Sequence, residues 1–384
     1  MAEPAIAFLS KRKLHVRKNG VTELLESDFE RTVRERAASI ERRHAWKTGG
    51  RGAMFMGGAF GVQAQGRTDV PVILTGLTSG PGGGLLYSME TDAVSGVFLR
   101  DAEGIETRLF HTADFRIRHA ALDPQGTTLA ATAFHTDNLR SNIVVLPLRG
   151  TDLSEVTEGD SLDQVPQWVP GPRRRIVFQS AGVGRNVAGR FAGLGPSTIQ
   201  ELDLDSGELE EAASENGRDL LQPRKSADGS LYYIRKPYES GLQKPSLLGS
   251  LKDTALFPFR IAQAVFQYFN VFSMKYTGNP LVTNRGAAQR RMDPRTLFIL
   301  GNLAQAQMAQ GAEDEGQPVV PSSWELVRRA PAGQAEVLAT SVLAFDLAGD
   351  GVIYSDGATI TGLGPDGRSE RILRAELIER VLAL

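Results

Sequence analysis

Cysteine is absent from this chain of 384 residues, and so is any large excess of one charge. Without cysteine the chain can form neither disulfides nor thiolate metal sites. Its 43 lysines and arginines are nearly balanced by 45 aspartates and glutamates, which gives a formal net charge of −2. Nucleic-acid-binding domains carry a strongly basic footprint. The composition therefore argues against a nucleic-acid partner.

Motifs for catalysis or cofactor binding are also missing. Gly76-Leu-Thr-Ser-Gly80 has threonine where a nucleophile elbow has serine, and the glycine-rich segment 48–58 lacks the residue order of a phosphate loop. Asp203-Leu-Asp-Ser-Gly207 lacks the distal glutamate of a calcium loop. The five histidines show no metal-binding spacing. We therefore predict no catalytic residues, no cofactor and no metal site.

Long apolar runs are missing as well. The aromatic-rich segment 256–275 predicts an amphipathic helix and no transmembrane span, because Arg260, Gln263 and Asn270 interrupt it. At the N-terminus, Met1–Lys11 places its apolar residues before its basic ones, which is the reverse of a secretory signal. This pattern favours a β-strand in a cytoplasmic protein.

A strand, a tight turn and a second strand are present in the segment Leu162–Ala181. The turn Pro170-Gly171-Pro172 separates an extended run from the apolar and β-branched run that begins at Arg175. Comparable units begin at Thr78, His119, Pro223 and Phe345.

The spacing of these units indicates a repeat architecture. Their turn glycines are Gly84, Gly126, Gly171, Gly229 and Gly351, with separations of 42, 45, 58 and 122 residues. Periods near 40 to 50 residues are typical of propeller blades, and the long last gap requires an insertion. A further strand pair follows each unit, so the sequence predicts four strands per repeat.

One unit carries a family resemblance. Pro166-Gln-Trp-Val-Pro-Gly-Pro-Arg-Arg-Arg-Ile-Val-Phe178 resembles the hairpin of the WD40-like repeat in TolB-type β-propellers. The resemblance extends over nearly the whole chain outside two insertions, and it implies a propeller fold. TolB-type proteins that act in the periplasm carry a signal, and the N-terminal pattern described above departs from theirs.

We therefore predict a single all-β domain over residues 1–384, a six-bladed β-propeller with a helical insertion in its fifth blade. The last strand, Arg380–Leu384, resembles Ser341–Phe345 and is predicted to close the ring by pairing with the N-terminal strand. The predicted blades are 5–27 with 378–384, 72–113, 114–158, 161–214, 217–340 and 341–375.

Two insertions decorate the predicted ring. Residues 28–71 comprise a helix, opened by the capping box Ser27-Asp-Phe-Glu30, and a glycine-rich segment. Residues 238–321 contain two helical segments between the second and third strands of blade five. These helices either pack on each other and on the blade edge, or present an aromatic face to a partner. In a four-stranded meander both insertions emerge on the same face.

This face supports a non-enzymatic interaction or scaffold function with a protein partner, and residues 256–275 also permit a peripheral membrane contact. The alternative is an enzyme or small-ligand receptor, of the hydrolase or lyase type, that uses the central channel. The candidate partner-binding residues are Phe259, Phe266, Tyr268, Phe269 and Phe272. The candidate channel-lining residues are Arg116, Arg118, His119, Gln167, Arg224 and Asp346.

Overall fold

The computed structural model describes residues 4–48, 72–238 and 317–384, apart from 92, 137, 138, 188 and 190. This part of the chain contains 25 β-strands, one α-helix and a short 3₁₀ turn, Pro81–Gly83. The fold is therefore all-β, as the sequence predicts. The predicted helices within 238–321, with all five candidate partner-binding aromatics, lie outside the described residues, and so does the glycine-rich segment from residue 49 onward.

The first sheet joins the two ends of the chain. Its strand order is β25-β1-β2-β3. The strands are β1 (Ile6–Ser10), β2 (Lys13–Lys18), β3 (Val21–Leu25) and β25 (Ile378–Ala383). β25 pairs antiparallel with β1 from Ala383 opposite Ile6 to Ile378 opposite Ser10. The predicted pairing of the C-terminal and N-terminal strands is thus present.

Three other sheets are four-stranded antiparallel meanders. The second sheet contains β4 (Ile73–Ser79), β5 (Leu85–Glu90), β6 (Ser95–Arg100) and β7 (Glu106–Thr112). The interrupted sheet contains β17 (Arg218–Lys225), β18 (Leu231–Pro237), β19 (Glu325–Arg329) and β20 (Ala335–Thr340). The last sheet contains β21 (Ala344–Ala348), β22 (Gly351–Ser355), β23 (Thr359–Leu363) and β24 (Ser369–Arg374).

The remaining sheet has nine strands in two antiparallel halves. The first half contains β8 (Arg116–Leu122), β9 (Thr128–His135), β10 (Arg140–Pro147) and β11 (Ser154–Glu155). The second half contains β12 (Ser161–Trp168), β13 (Arg175–Arg185), β14 (Phe191–Leu194), β15 (Thr198–Asp203) and β16 (Leu209–Ala213). The halves meet at a single parallel bridge, Ser141 opposite Leu162.

The core lies between neighbouring sheets. Leu86 and Val97 of the second sheet pack in one buried cluster with Ile117 and Ala131 of the nine-stranded sheet. Burying an aliphatic side chain of this size contributes about 1.5–3 kcal/mol relative to leaving it exposed. The last long strands of the four-stranded sheets, such as β3 and β20, are largely exposed. The fourth strand is therefore the least buried strand of each of these four sheets.

The predicted turn glycines lie at or beside the hairpins between first and second strands. Gly126 and Gly229 have φ angles of +71° and +84°, which glycine adopts without strain. In the first of these turns, the carboxylate of Asp123 accepts the backbone N–H groups of Thr127 at 2.6 Å and Thr128 at 2.8 Å. Local turn chemistry therefore fixes where these hairpins reverse.

The helix α1 (Asp28–Thr48) follows β3 and begins against the second sheet. Ser27 Oγ accepts the N–H of Glu30 at 3.2 Å, which is half of the predicted capping box. Glu30 itself pairs with Arg34, and the carboxylate of Glu106 in β7 accepts the N–H of Phe29 at 2.9 Å. A long-range acceptor therefore caps the helix and fixes it on the neighbouring sheet.

Candidate functional site

A central cavity lies where the first strands of all the sheets converge. Residues from β4, β8, β12, β17, β21 and β25 line it, and its empty space is about 430 Å³, including the part open to solvent. Its lining combines apolar residues such as Phe345 and Val381 with a polar set. The polar lining residues are His119, Gln167, Gln222, Arg224 and Arg380. No aspartate or glutamate is among these described lining residues.

Three lining residues have a left-handed backbone. The φ angles of His119, Val165 and Gln222 are +50°, +54° and +52°. Each lies at an irregularity in the pairing of its strand with the next one. Such φ values are uncommon for residues other than glycine, and for a β-branched valine they are a genuine outlier. The same bulge is therefore repeated in β8, β12 and β17.

Side chains from the preceding strands hold two of these bulges. The hydroxyl of Thr132 in β9 accepts the N–H of Val165 at 3.2 Å, and the side-chain carbonyl of Gln179 in β13 accepts the N–H of Gln222 at 2.8 Å. Gln222 Nε2 also donates to the carbonyl of Leu343 at 2.9 Å. These bonds across groups of strands maintain the strained conformations around the cavity.

A hydrogen-bonded ion pair occupies one side of the cavity. Arg224 Nη1 lies 3.1 Å from Asp346 Oδ1 and donates to Gln167 Oε1 at 2.9 Å. Asp346 also accepts the N–H groups of Leu347 and Ala383, both at 2.9 Å. Burial raises the pKa of Asp346, although Arg224 and the two N–H groups oppose this effect. The network connects four strands that line the cavity, because Gln167 lies in β12, Arg224 in β17, Asp346 in β21 and Ala383 in β25.

Arg380 and His119 also line the cavity. Burial and then repulsion by Arg224 lower the pKa of Arg380 to about 10, against the attraction of Glu379. Arg380 is therefore still charged at neutral pH. Burial, with the charges of Arg380 and Arg118, lowers the pKa of His119 well below its ordinary value, so this imidazole is neutral. Nδ1 of His119 is buried without a hydrogen-bond partner among the described residues.

Solved structures share this architecture. TolB from Acinetobacter baumannii matches with a TM-score of 0.51 and 11% identity, over 99% of this chain and 66% of the TolB chain. A chain in the crystal structure of a nidogen/laminin complex matches with a TM-score of 0.53 and 9% identity, over 99% of this chain and 98% of that one. The fold is a TolB-like β-propeller.

Other comparisons are more distant or empty. Oligogalacturonate lyase from Vibrio parahaemolyticus has a TM-score of 0.40 and 7% identity, over 77% of this chain and 64% of the lyase. No family model and no curated protein matches the sequence. At such identities the structural similarity concerns the fold alone.

The propeller places only some of the predicted channel residues in the lining of the cavity. His119, Gln167 and Arg224 line the central cavity, and Asp346 pairs with Arg224 beside it. Arg118 instead forms a two-pronged pair with Glu90, with bonds of 2.9 and 2.8 Å, and its guanidinium lies 5.0 Å from the centre of the Phe134 ring. Arg116 begins the same strand and is not one of the lining residues.

Two polar lining residues were not predicted. Gln222-Pro223-Arg224 has the same order as Val165-Pro166-Gln167, and this similarity could have identified Gln222 as the counterpart of Val165. Arg380 lies in the strand that the sequence predicts to be innermost, so its place in β25 was the available signal.

The residues that flank the segment 239–316 are bonded to neighbouring parts of the propeller. The N–H of Tyr238 donates to the carbonyl of Gly217 at 3.0 Å, and its hydroxyl donates to the carbonyl of Leu194. On the returning side, the N–H of Val319 donates to the carbonyl of Asp356 at 2.8 Å, and Val319 and Val320 are buried. Hydrogen bonds therefore connect the residues on both sides of the segment to the propeller.

Two further findings concern the part of the chain that the structure describes. It contains no group of three or more histidine, aspartate or glutamate side chains that could hold a metal ion. No helix in it is both long enough and apolar enough to cross a membrane.

Proposed function

We propose that the chain forms six blades closed into a ring by the pairing of β25 with β1. The nine-stranded sheet counts as two blades, since its halves meet only at the bridge between Ser141 and Leu162. Six strands then line the central cavity, one from each blade. Ring closure also leaves no open sheet edge on an inner strand, where unpaired backbone groups would favour aggregation.

We further propose that the protein is a non-enzymatic interaction propeller that binds a protein partner on one face. One observation carries this proposal: the segment after β3 and the segment between β18 and β19 are the two long connections of the chain. In a four-stranded meander, blade-to-blade and second-to-third connections lie at the same edge. Both long connections therefore leave one face, which we name the insertion face.

The anchored ends of 239–316 support this assignment. Binding residues are commonly placed on loops that a rigid scaffold positions, and Tyr238 and Val319 fix this segment at both ends. The similar nidogen/laminin structure is a complex of two proteins. We propose that the aromatic residues of 256–275 contact the partner, and that the protein acts in the cytoplasm.

The proposal is tested by replacing residues 239–316 with a short Gly/Ser linker that retains Tyr238 and Gln317. The propeller should remain folded, because a hairpin loop can join two adjacent antiparallel strands. Circular dichroism and thermal unfolding would check this. Crosslinking in the source cells followed by affinity capture should show partners that the parent binds and the variant does not.

A second variant keeps the full segment and changes only the five aromatics to serine, at Phe259, Phe266, Tyr268, Phe269 and Phe272. It should lose the same partners, because buried aromatics dominate the energy of most interfaces. If both variants fold and capture everything that the parent captures, the proposal is wrong. Sedimentation with anionic vesicles separates the alternatives, since vesicle binding without protein capture would identify a membrane contact instead.

A further inference from the structure

The charges of the central cavity do not balance. Its charged lining residues are Arg224 and Arg380, both cationic, and no lining residue is acidic. Asp346 neutralises Arg224 at 3.1 Å, and its two oxygens also accept the N–H groups of Leu347 and Ala383. No lining carboxylate therefore balances the positive charge of Arg380.

Arg380 has no hydrogen-bonded counter-ion among the described residues, although the neighbouring carboxylate of Glu379 attracts it. Among residues 4–48, 72–238 and 317–384 it forms no hydrogen bond or ion pair, while the neighbouring carboxylate of Glu379 accepts the N–H of Arg12 at 3.1 Å. Partial burial disfavours a charge unless it is paired and hydrogen-bonded. At neutral pH Arg380 remains protonated even with its lowered pKa. An anion from outside the chain would supply the missing partner.

Other donors lie around the same cavity. His119 is a neutral imidazole with Nδ1 buried and unpartnered, and a neutral imidazole carries one N–H. Gln167 uses its side-chain oxygen to accept a bond from Arg224. Its amide group still carries two N–H donors. The cavity thus combines one uncompensated guanidinium with polar groups that can donate to the same ligand.

We propose that the central cavity binds a small monocarboxylate, with Arg380 as its principal ligand-binding residue. A guanidinium holds a carboxylate through two parallel hydrogen bonds. A single negative charge balances Arg380, whereas a phosphate dianion would leave the cavity negative. A free acid and the terminal carboxylate of a peptide share this chemistry.

The test uses the full chain with thermal unfolding and calorimetric titration at constant ionic strength. Acetate and propionate should raise the Tm in a saturable manner, because a ligand that binds only the folded state stabilises it. Arg380→Met should fold with an equal or higher Tm and bind at least about tenfold more weakly. The matched control is Arg368→Met, whose side chain is 90% exposed and should leave binding unchanged.

Arg380→Lys distinguishes charge from geometry. It keeps the charge but loses the forked donors, so its affinity should lie between those of the parent and Arg380→Met. It also decides the matter if Arg380→Met fails to fold. A short peptide with a free C-terminus, compared with its amidated form, separates a peptide ligand from a free acid. Three outcomes would overturn the proposal. The parent, Arg380→Lys and Arg380→Met would bind carboxylate equally well, the parent would show no saturable binding, or the parent would bind inorganic phosphate more tightly than carboxylate.

Discussion

The two arginines that line the central cavity differ in their hydrogen-bond partners. On one side, Arg224 is held by Asp346 and Gln167, and the carboxylate of Asp346 also accepts two backbone N–H groups. On the other side, Arg380 forms no hydrogen bond or ion pair among the described residues, and it lines the cavity together with His119, a buried imidazole with an unpartnered nitrogen. Arg224 thus has a hydrogen-bonded counter-ion, whereas among the described residues no carboxylate is hydrogen-bonded to Arg380.

This difference separates a structural charge from one available to a ligand. Removing one member of a satisfied buried pair leaves the other charge uncompensated, which costs about 3–5 kcal/mol. Removing a charge that has no partner carries no such penalty. Arg224 and Arg380 line the same cavity and have the same side chain. The expected difference in stability between their removals therefore comes from their partners.

The largest effect should follow from removing β25, the strand that contains Arg380. Deletion of 378–384 takes away β25, including Ile378 and Val381, which are buried against β1 and the last sheet. We expect loss of cooperative unfolding or aggregation, because β1 would become an open edge. Size-exclusion chromatography and thermal unfolding would measure it.

A shorter deletion provides the control for this experiment. Leu384 is 45% exposed and contributes one backbone bond, from its N–H to the carbonyl of Ala5 at 3.0 Å. Its removal should cost about 1 kcal/mol or less. An unchanged Tm after the longer deletion would contradict the proposed ring closure.

The next largest effect on stability concerns the ion pair of Arg224 and Asp346. Asp346→Asn should lower the free energy of unfolding by about 3 kcal/mol, because Arg224 loses its counter-ion in a buried setting. Urea denaturation at neutral pH would measure it. In the matched control, Asp366→Asn removes an exposed partner of Arg368 and should cost less than about 0.5 kcal/mol. Equal losses would mean that Arg224 does not depend on Asp346.

A smaller loss of stability is expected from adding a side chain at Gly76, beside His119. A Cβ added at Gly76 would lie 2.6 Å from Ser88 Oγ and 2.8 Å from the backbone nitrogen of His119. Gly76→Ala should therefore cost about 1–3 kcal/mol by forcing β4 and β8 apart. Gly182→Ala is the control, because nothing lies within 4 Å of its added Cβ. If the two substitutions are equally tolerated, the packing between β4 and β8 is looser than the structure indicates.

The sequence predicts the hairpins of the propeller well because their causes are local. Gly126 and Gly229 occupy turns whose φ angles favour glycine, and Asp123 caps one of these turns within five residues. The pairing of β25 with β1 was also predictable, because Arg380–Leu384 has the apolar pattern of an inner strand. The six-blade count and ring closure stay predictions.

The site was predicted less completely because its geometry depends on distant residues. A bulge adds one residue to a strand and changes which side chains share a face, so alternation in β8 could not distinguish Arg118 from His119. Arg118 is directed to Glu90, 28 residues earlier in the chain. The bulge at Val165 depends on Thr132, 33 residues away. Neither partner is evident from local sequence.

The smallest effect at neutral pH concerns His119 and appears on acidification. Its folded pKa lies well below the ordinary value of 6.5, so between these two values the unfolded chain binds a proton that the folded chain does not. The contribution of His119 to the free energy of unfolding is then fully present above about pH 6.5. It falls as the pH decreases toward the folded pKa, by at most about 1.4 kcal/mol per pH unit for one proton.

His119→Asn removes this contribution and suits the left-handed backbone. Urea denaturation from pH 7.5 to 5 should show a shallower loss of stability for His119→Asn than for the parent, while His111→Asn, at an exposed position, should retain the parental slope. Parallel curves for the parent and His119→Asn would mean that the imidazole is protonated equally in the folded and unfolded states.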